Sequence, residues 1–188
     1  MKIQLLALAV LVSVVCQSLV AEAQTPRPVR PRLEHEFLKR FVGDWECSTE
    51  TSFGPGKSLT TKGTMSGHMI GKFWVVIDRK ANIGAFAYHG RATYGFDSRK
   101  KKYVGTWMDS MAPILWHYEG EADGDILAVE SEGPHPAMPG KFKFRNTWEF
   151  KTDDLVVLTS EMEGRDGKMT TILNSTCRRK KAEAGSAS

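Results

Sequence analysis

A chain of 188 residues with 41% hydrophobic and 26% charged side chains is about one domain of ordinary globular composition, which excludes long disorder and a polytopic membrane protein. Its formal charge of +4 and pI of about 9.0 invite a nucleic-acid reading until the charges are located. Arg27, Arg30 and Arg32 lie near one end and Arg178, Arg179, Lys180 and Lys181 near the other, so the body between them is slightly acidic and offers no overall positive field for nucleic acid.

Residues 1–23 have a Lys2 n-region, an apolar run from Ile3 to Val15 and a small-x-small end at Ala21-Glu22-Ala23, the pattern of a secretory signal peptide cleaved after Ala23. The run is too short for a retained transmembrane helix. No later apolar stretch is long enough to span a bilayer either, so no integral membrane segment is expected. A lipid anchor on Cys16 would need a small residue before it, where Val15 stands. The predicted product is therefore secreted or periplasmic. Residues 24–32 form a Pro- and Arg-rich leader, residues 33–179 the folding domain and residues 180–188 a low-complexity, disordered tail.

Leu33, Phe37, Leu38, Phe41 and Val42 are apolar at helical spacing and stop at Gly43, which predicts one short helix. Everything after it alternates. Between Lys141 and Lys151, Phe142, Phe144, Trp148 and Phe150 share one parity while every residue of the other parity is polar, as in a half-buried strand. Similar runs are predicted over 45–53, 58–69, 72–79, 89–97, 103–111, 114–122, 126–132, 155–163 and 169–178. Gly54-Pro55-Gly56, residues 98–101, Asp123-Gly124, Asp153-Asp154 and Asp166-Gly167 supply hairpin turns. About ten consecutive antiparallel strands with short connections must close or leave bare edges, so an all-β, ten-stranded up-and-down barrel is expected, with an immunoglobulin-like sandwich as the alternative. In a closed barrel of even strand number the first and last strands pair antiparallel. Cys47 and Cys177 would then be neighbours, bridged as in an exported protein or left as two buried thiols.

Gly43-Asp44-Trp45, with Arg178 and Arg179 at the end of the last strand, resembles the calycin (lipocalin-like) pattern. The stretch from Gly95 to Ser110, with its Gly105-Thr106-Trp107-Met108-Asp109 core, is similar to the signature of the secreted bacterial family known as domain of unknown function 1579 (DUF1579). Leu38 to Trp45, Glu119-Gly120-Glu121 and Thr176 to Arg179 resemble that family too, so the likeness runs from Leu33 to Arg179. Phe96 stands where the family usually has Tyr. The resemblance implies a calycin-like barrel whose end is closed by Trp45 against a basic residue, taken as Arg178. It implies no activity.

Three uses of such a barrel are weighed. Trp45, Trp74, Trp107, Trp116 and Trp148 could fill it or line a cavity, and Asn146, on the parity of Phe144 and Trp148, needs a polar partner that a ligand, a water or Asp109 could supply. Asp109 shares a face with Trp107. It either enters the interior or accepts backbone N–H groups from the turn before Pro113. The first reading is a non-catalytic barrel binding a small hydrophobic or amphipathic molecule through Trp107, Asp109, Trp116, His117, Asn146 and Trp148, with no cofactor and no metal. A second reading is an enzyme, or a haem- or metal-handling barrel, using Asp109, His117 and Glu119. A third is a surface interaction module acting through its tails. Neither G-x-S-x-G nor C-x-x-C occurs, and Gly56-Lys57-Ser58 lacks both the upstream Gly and the following helix of a phosphate loop.

Overall fold

The computed structural model describes residues 29–135 and 138–181. The predicted signal peptide, the leader up to residue 28 and the tail from residue 182 lie outside the described residues. Helix α1 (Leu33–Leu38) runs into a 3-10 turn (Lys39–Phe41) and leads to ten strands. These are β1 (Gly43–Ser52), β2 (Ser58–Ile70), β3 (Trp74–Ile83), β4 (Phe86–Asp97), β5 (Lys102–Asp109), β6 (Ala112–Asp123), β7 (Ile126–His135), β8 (Met138–Thr152), β9 (Leu155–Glu163) and β10 (Met169–Arg179). Each strand pairs antiparallel with the next, and β10 returns to β1, closing the barrel.

Closure follows from the alternation. On β1, Trp45 and Cys47 point inward while Glu46, Ser48 and Glu50 face out, and on β2 Met65 and Gly67 are buried between exposed Lys62, Thr64, Ser66 and His68. An apolar inside with a polar outside is the reverse of a lipid-facing barrel, whose outer band is apolar. Turn chemistry sets the connections: the Asp97 carboxylate accepts the N–H groups of Arg99 and Lys100, and Lys101 takes a left-handed conformation (φ 55°) to finish the 98–101 turn. The β3–β4 hairpin is longer than the sequence suggests. Gly84, at φ 61°, starts its turn, so residues 80–83 and 86–88 extend the two strands.

The register places Cys47 opposite Cys177, and the two are joined in a disulfide with their Cα atoms 4.1 Å apart. Of the two sequence alternatives, bridged or free, the structure holds the bridge.

Helix α1 and the 3-10 turn plug one end. Phe41 is fully buried, edge-on to Trp148 (5.3 Å) and Phe150 (4.9 Å) and stacked on Tyr94 (6.2 Å). The Trp45 indole N–H donates to the Phe41 carbonyl at 3.2 Å. The basic residue that closes this end is Arg179, not Arg178. Its guanidinium lies 4.0 Å from the Trp45 ring centre and donates to the carbonyls of Arg40, Val42 and Asp153, whereas Arg178 is exposed on the outer wall. Strand parity gives the reason: Cys177 points inward, so Arg179 does too and Arg178 cannot. Gly43 completes the arrangement, because a Cβ there would meet Arg179 Nη1 at 2.7 Å.

Candidate functional site

At the other end the interior is hollow. A cavity of about 370 Å³ is walled by Trp107, Trp116, Tyr118, Phe144, Trp148 and Leu158, with Tyr94 towards the plug and Asp109, His135 and Asn146 among its polar groups. A second void of about 400 Å³ lies against β1, β2 and β3, lined by Leu59, Thr61, Ala81, Ile83 and Met111. The two share Thr51, Phe53, Arg79, Tyr88 and Leu173 as lining, so they are lobes of one chamber. Two ladders stop short around it: β6 and β7 pair only between Glu119 and Asp123 on β6, and β2 and β3 part beyond Gly63 and Ala81. The strands splay there and leave room.

Two strand glycines accommodate the large rings. A Cβ on Gly90 would sit 2.3 Å from the Trp107 ring, and one on Gly133 would sit 2.3 Å from Trp116. Each indole thus lies against a neighbouring strand's bare backbone instead of filling the barrel axis. Trp116 meets Phe144 edge-on at 4.9 Å, fixing the wall between β6 and β8.

Five of the six residues expected to bind a ligand line this chamber: Trp107, Asp109, Trp116, Asn146 and Trp148. His117 does not. It is exposed on the outer face, as parity requires for a residue between inward-facing Trp116 and Tyr118. Glu119 shares that outer face and pairs with Lys100, so Asp109, His117 and Glu119 do not form one site. Trp74 is likewise absent from the cavity, half-exposed with its ring against Gly95.

Asp109 is at once a wall residue and a turn acceptor. One oxygen accepts the Trp107 indole N–H at 3.0 Å and the other the Met111 backbone N–H at 2.8 Å. Asn146 finds its partner in Tyr118, not Asp109. The Tyr118 phenol interacts with Asn146, while burial holds its pKa above the ordinary value. The Trp148 indole N–H donates to Tyr94, whose phenol burial also raises. Burial, and then the nearby Asp109 charge, push the Tyr88 phenol up as well.

Arg79 is a site residue that the sequence reading passed over. It shares the inward parity of Val75 and Ile77, and its guanidinium reaches the chamber from β3. Nη2 donates to Ser175 Oγ at 2.6 Å and to Thr49 Oγ1 at 3.2 Å, and those two hydroxyls lie 2.7 Å apart. Desolvation lowers its pKa, and the groups that act on its charge are the Tyr88 and Tyr94 phenols. Among the described residues no carboxylate pairs with it. The signal was a cation on the parity of two apolar residues, obscured by the unbroken run Val75-Val76-Ile77.

Known structures share this architecture. The crystal structure of Rv2717c from M. tuberculosis superposes with a TM-score of 0.57 at 10% identity, covering 81% of this chain and 100% of that one. The S-type phycobiliprotein lyase CPES from Guillardia theta does so with a TM-score of 0.53 at 14% identity, covering 83% and 100%. At such identities the likeness concerns the fold. No curated protein matches the chain. The family described as protein of unknown function (DUF1579) matches residues 30–179, which takes in α1 and every strand of the barrel, and the chain belongs to that family.

Proposed function

We propose that this protein is an exported carrier or receptor that holds a small, partly apolar molecule in the open half of its barrel and catalyses no reaction on it. One observation carries the reading. The aromatic side chains at the open end wall a chamber with two lobes of about 370 and 400 Å³, while those at the other end pack solid. Mostly apolar walls with a few convergent polar groups are what small-molecule sites have in common. The enzyme and haem readings lose their support because Asp109 lies inside the wall and His117 and Glu119 outside it. Export rests on the sequence of residues 1–23, and mass spectrometry of the purified exported protein should find Gln24 at its N-terminus.

The binding test uses a neutral fluorophore, N-phenyl-1-naphthylamine, so that no charge contributes. Its emission should rise on mixing with the protein, and Trp116→Ala, which removes a wall ring, should weaken the response several-fold. No emission change, together with no molecule retained in native mass spectra after incubation with lipid extract, overturns the reading.

A further inference from the structure

We propose that the ligand carries one carboxylate group, that Arg79 is its counter-ion, and that the Tyr88 phenol donates the accompanying hydrogen bond. This inference rests on the chamber being a binding site and names the chemical class it takes.

The argument starts from pairing. Two arginines of the outer wall pair with carboxylates, Arg91 forking onto Asp78 at 2.7 and 3.0 Å and Arg145 gripping Glu130, and Arg40 of the plug meets Asp125. Asp78 is the residue next to Arg79, turned outward by strand parity. Arg79 points inward, where among the described residues its hydrogen-bond partners are the hydroxyls of Thr49 and Ser175. A guanidinium has five N–H donors, and both of these bonds use Nη2, so Nη1 and Nε remain for the chamber. Burying an ionised group is unfavourable unless a counter-charge and hydrogen bonds offset it, and the protein supplies hydrogen bonds alone.

The neighbourhood specifies the missing partner. Tyr88 lines both lobes with Arg79, and among the described residues its hydroxyl makes no hydrogen bond. A carboxylate can accept a charge-assisted hydrogen bond from Nη1 or Nε, with the phenol as a second donor. The charge is limited to one. Asp109 lines the same chamber with both oxygens already engaged, so a second anionic group there would meet repulsion instead of a donor. The Arg79 guanidinium lies two residue pairs above the Cys47–Cys177 bridge, at the level of Thr49 and Ser175, so the head group sits deep. The apolar body extends towards the mouth between Trp107, Trp116 and Phe144 or between Leu59, Ile83 and Met111. At the rim Phe53, Leu59, Phe86 and Met111 are exposed, a suitable exit for an alkyl or aromatic tail.

The test compares 11-(dansylamino)undecanoic acid with its methyl ester, which differ in the charge of one end, on the full-length mature protein and on Arg79→Met and Arg79→Lys. The wild type should bind the acid at least about tenfold more tightly than the ester. Arg79→Met should bind both as the wild type binds the ester, and Arg79→Lys should recover part of the preference. Without ligand, Arg79→Met should melt higher than the wild type, because an apolar chain of similar length replaces a part-buried cation with no counter-charge; the acid should raise the melting temperature of the wild type most, of Arg79→Lys less and of Arg79→Met least. Equal binding of acid and ester by the wild type, or a preference that survives Arg79→Met, overturns the role of Arg79 and leaves the chamber as a binding site. Arg79→Met melting lower than the wild type, with the preference intact, makes Arg79 structural. If neither probe nor N-phenyl-1-naphthylamine binds, the chamber reading falls and this inference with it.

Discussion

The two ends of the barrel are built from the same residue types and put to different uses. At the plugged end Phe41, Trp45, Trp148 and Phe150 interlock, Arg179 has carbonyl acceptors and a ring beneath it, and a disulfide ties the first strand to the last. At the open end Trp107 and Trp116 lie flat against glycines, two ladders part, and Arg79 has hydroxyls but no counter-charge. Aromatic content therefore says little about whether a barrel is filled. The helix decides it, because Phe37, Leu38 and Phe41 occupy one half of the interior and no segment among the described residues enters the other. The packing is complete at the plugged end, and the cost of unfilled volume and of a cation without a counter-charge falls on the open half.

If that division holds, substitutions at the plugged end should act on stability. The largest effect is expected from the disulfide, which closes a loop of 130 residues. Replacing both Cys47 and Cys177 with Ser should lower the unfolding free energy by about 4 to 5 kcal/mol on the chain-entropy account. Denaturant titration with and without reductant measures it: reductant should shift the wild-type midpoint and leave that of the double variant unchanged.

Next in size is the lid on the plug. Arg179→Ala removes the cation over Trp45 and three hydrogen-bonded carbonyl contacts, and should cost about 2 kcal/mol. Arg178→Ala, one residue away on the outer wall, should stay within about 0.5 kcal/mol. Similar losses for the two variants would show that the closing contact is diffuse charge and not the Trp45–Arg179 stack.

This pair also shows where sequence reading succeeds and where it stops. A strand with one polar and one apolar parity, such as β8, was legible to within three residues, since period-two alternation is a direct image of inside and outside. With about ten strands legible, closure and the adjacency of Cys47 and Cys177 followed from counting, while the bridge itself did not. The site was harder. Choosing His117 beside Trp116, and Arg178 while Cys177 pointed inward, breaks the same parity that found the strands. Arg79 was hidden because Val75, Val76 and Ile77 carry no alternation, so nothing local said which way the next charge would face. The depth of the plug, which separates packed rings from cavity walls, depends on contacts between distant residues such as Phe41 and Trp148 and has no local signature.

A further contrast is confined to alkaline pH. The chain has four tyrosines, Tyr88, Tyr94, Tyr103 and Tyr118, and all four face inward with phenols raised by burial, Tyr103 to about 12. The folded state keeps protons that the unfolded chain sheds at about pH 10, so unfolding releases protons and stability falls as pH rises beyond that point. Below it the contribution is fully present. Absorbance at 295 nm should therefore rise together with loss of structure, as one transition. A phenol titrating near pH 10 with the barrel intact would mean that water reaches the interior freely, and the tyrosines at the chamber would be the ones to examine.

The smallest effect on stability is expected at the open rim, where function should register it instead. Phe53 is 67% exposed and lines both lobes of the chamber. Phe53→Ser removes little buried area, so the denaturation midpoint should move by no more than about 0.5 kcal/mol. Because the ring borders the path of an apolar tail, affinity for N-phenyl-1-naphthylamine should drop several-fold. A clear loss of stability without change in probe affinity would make the rim part of the packed structure and erase the contrast between the two ends. Unchanged stability with weakened binding would instead assign the apolar rim to the chamber, and explain why four large hydrophobic residues, Phe53, Leu59, Phe86 and Met111, stand exposed around its mouth.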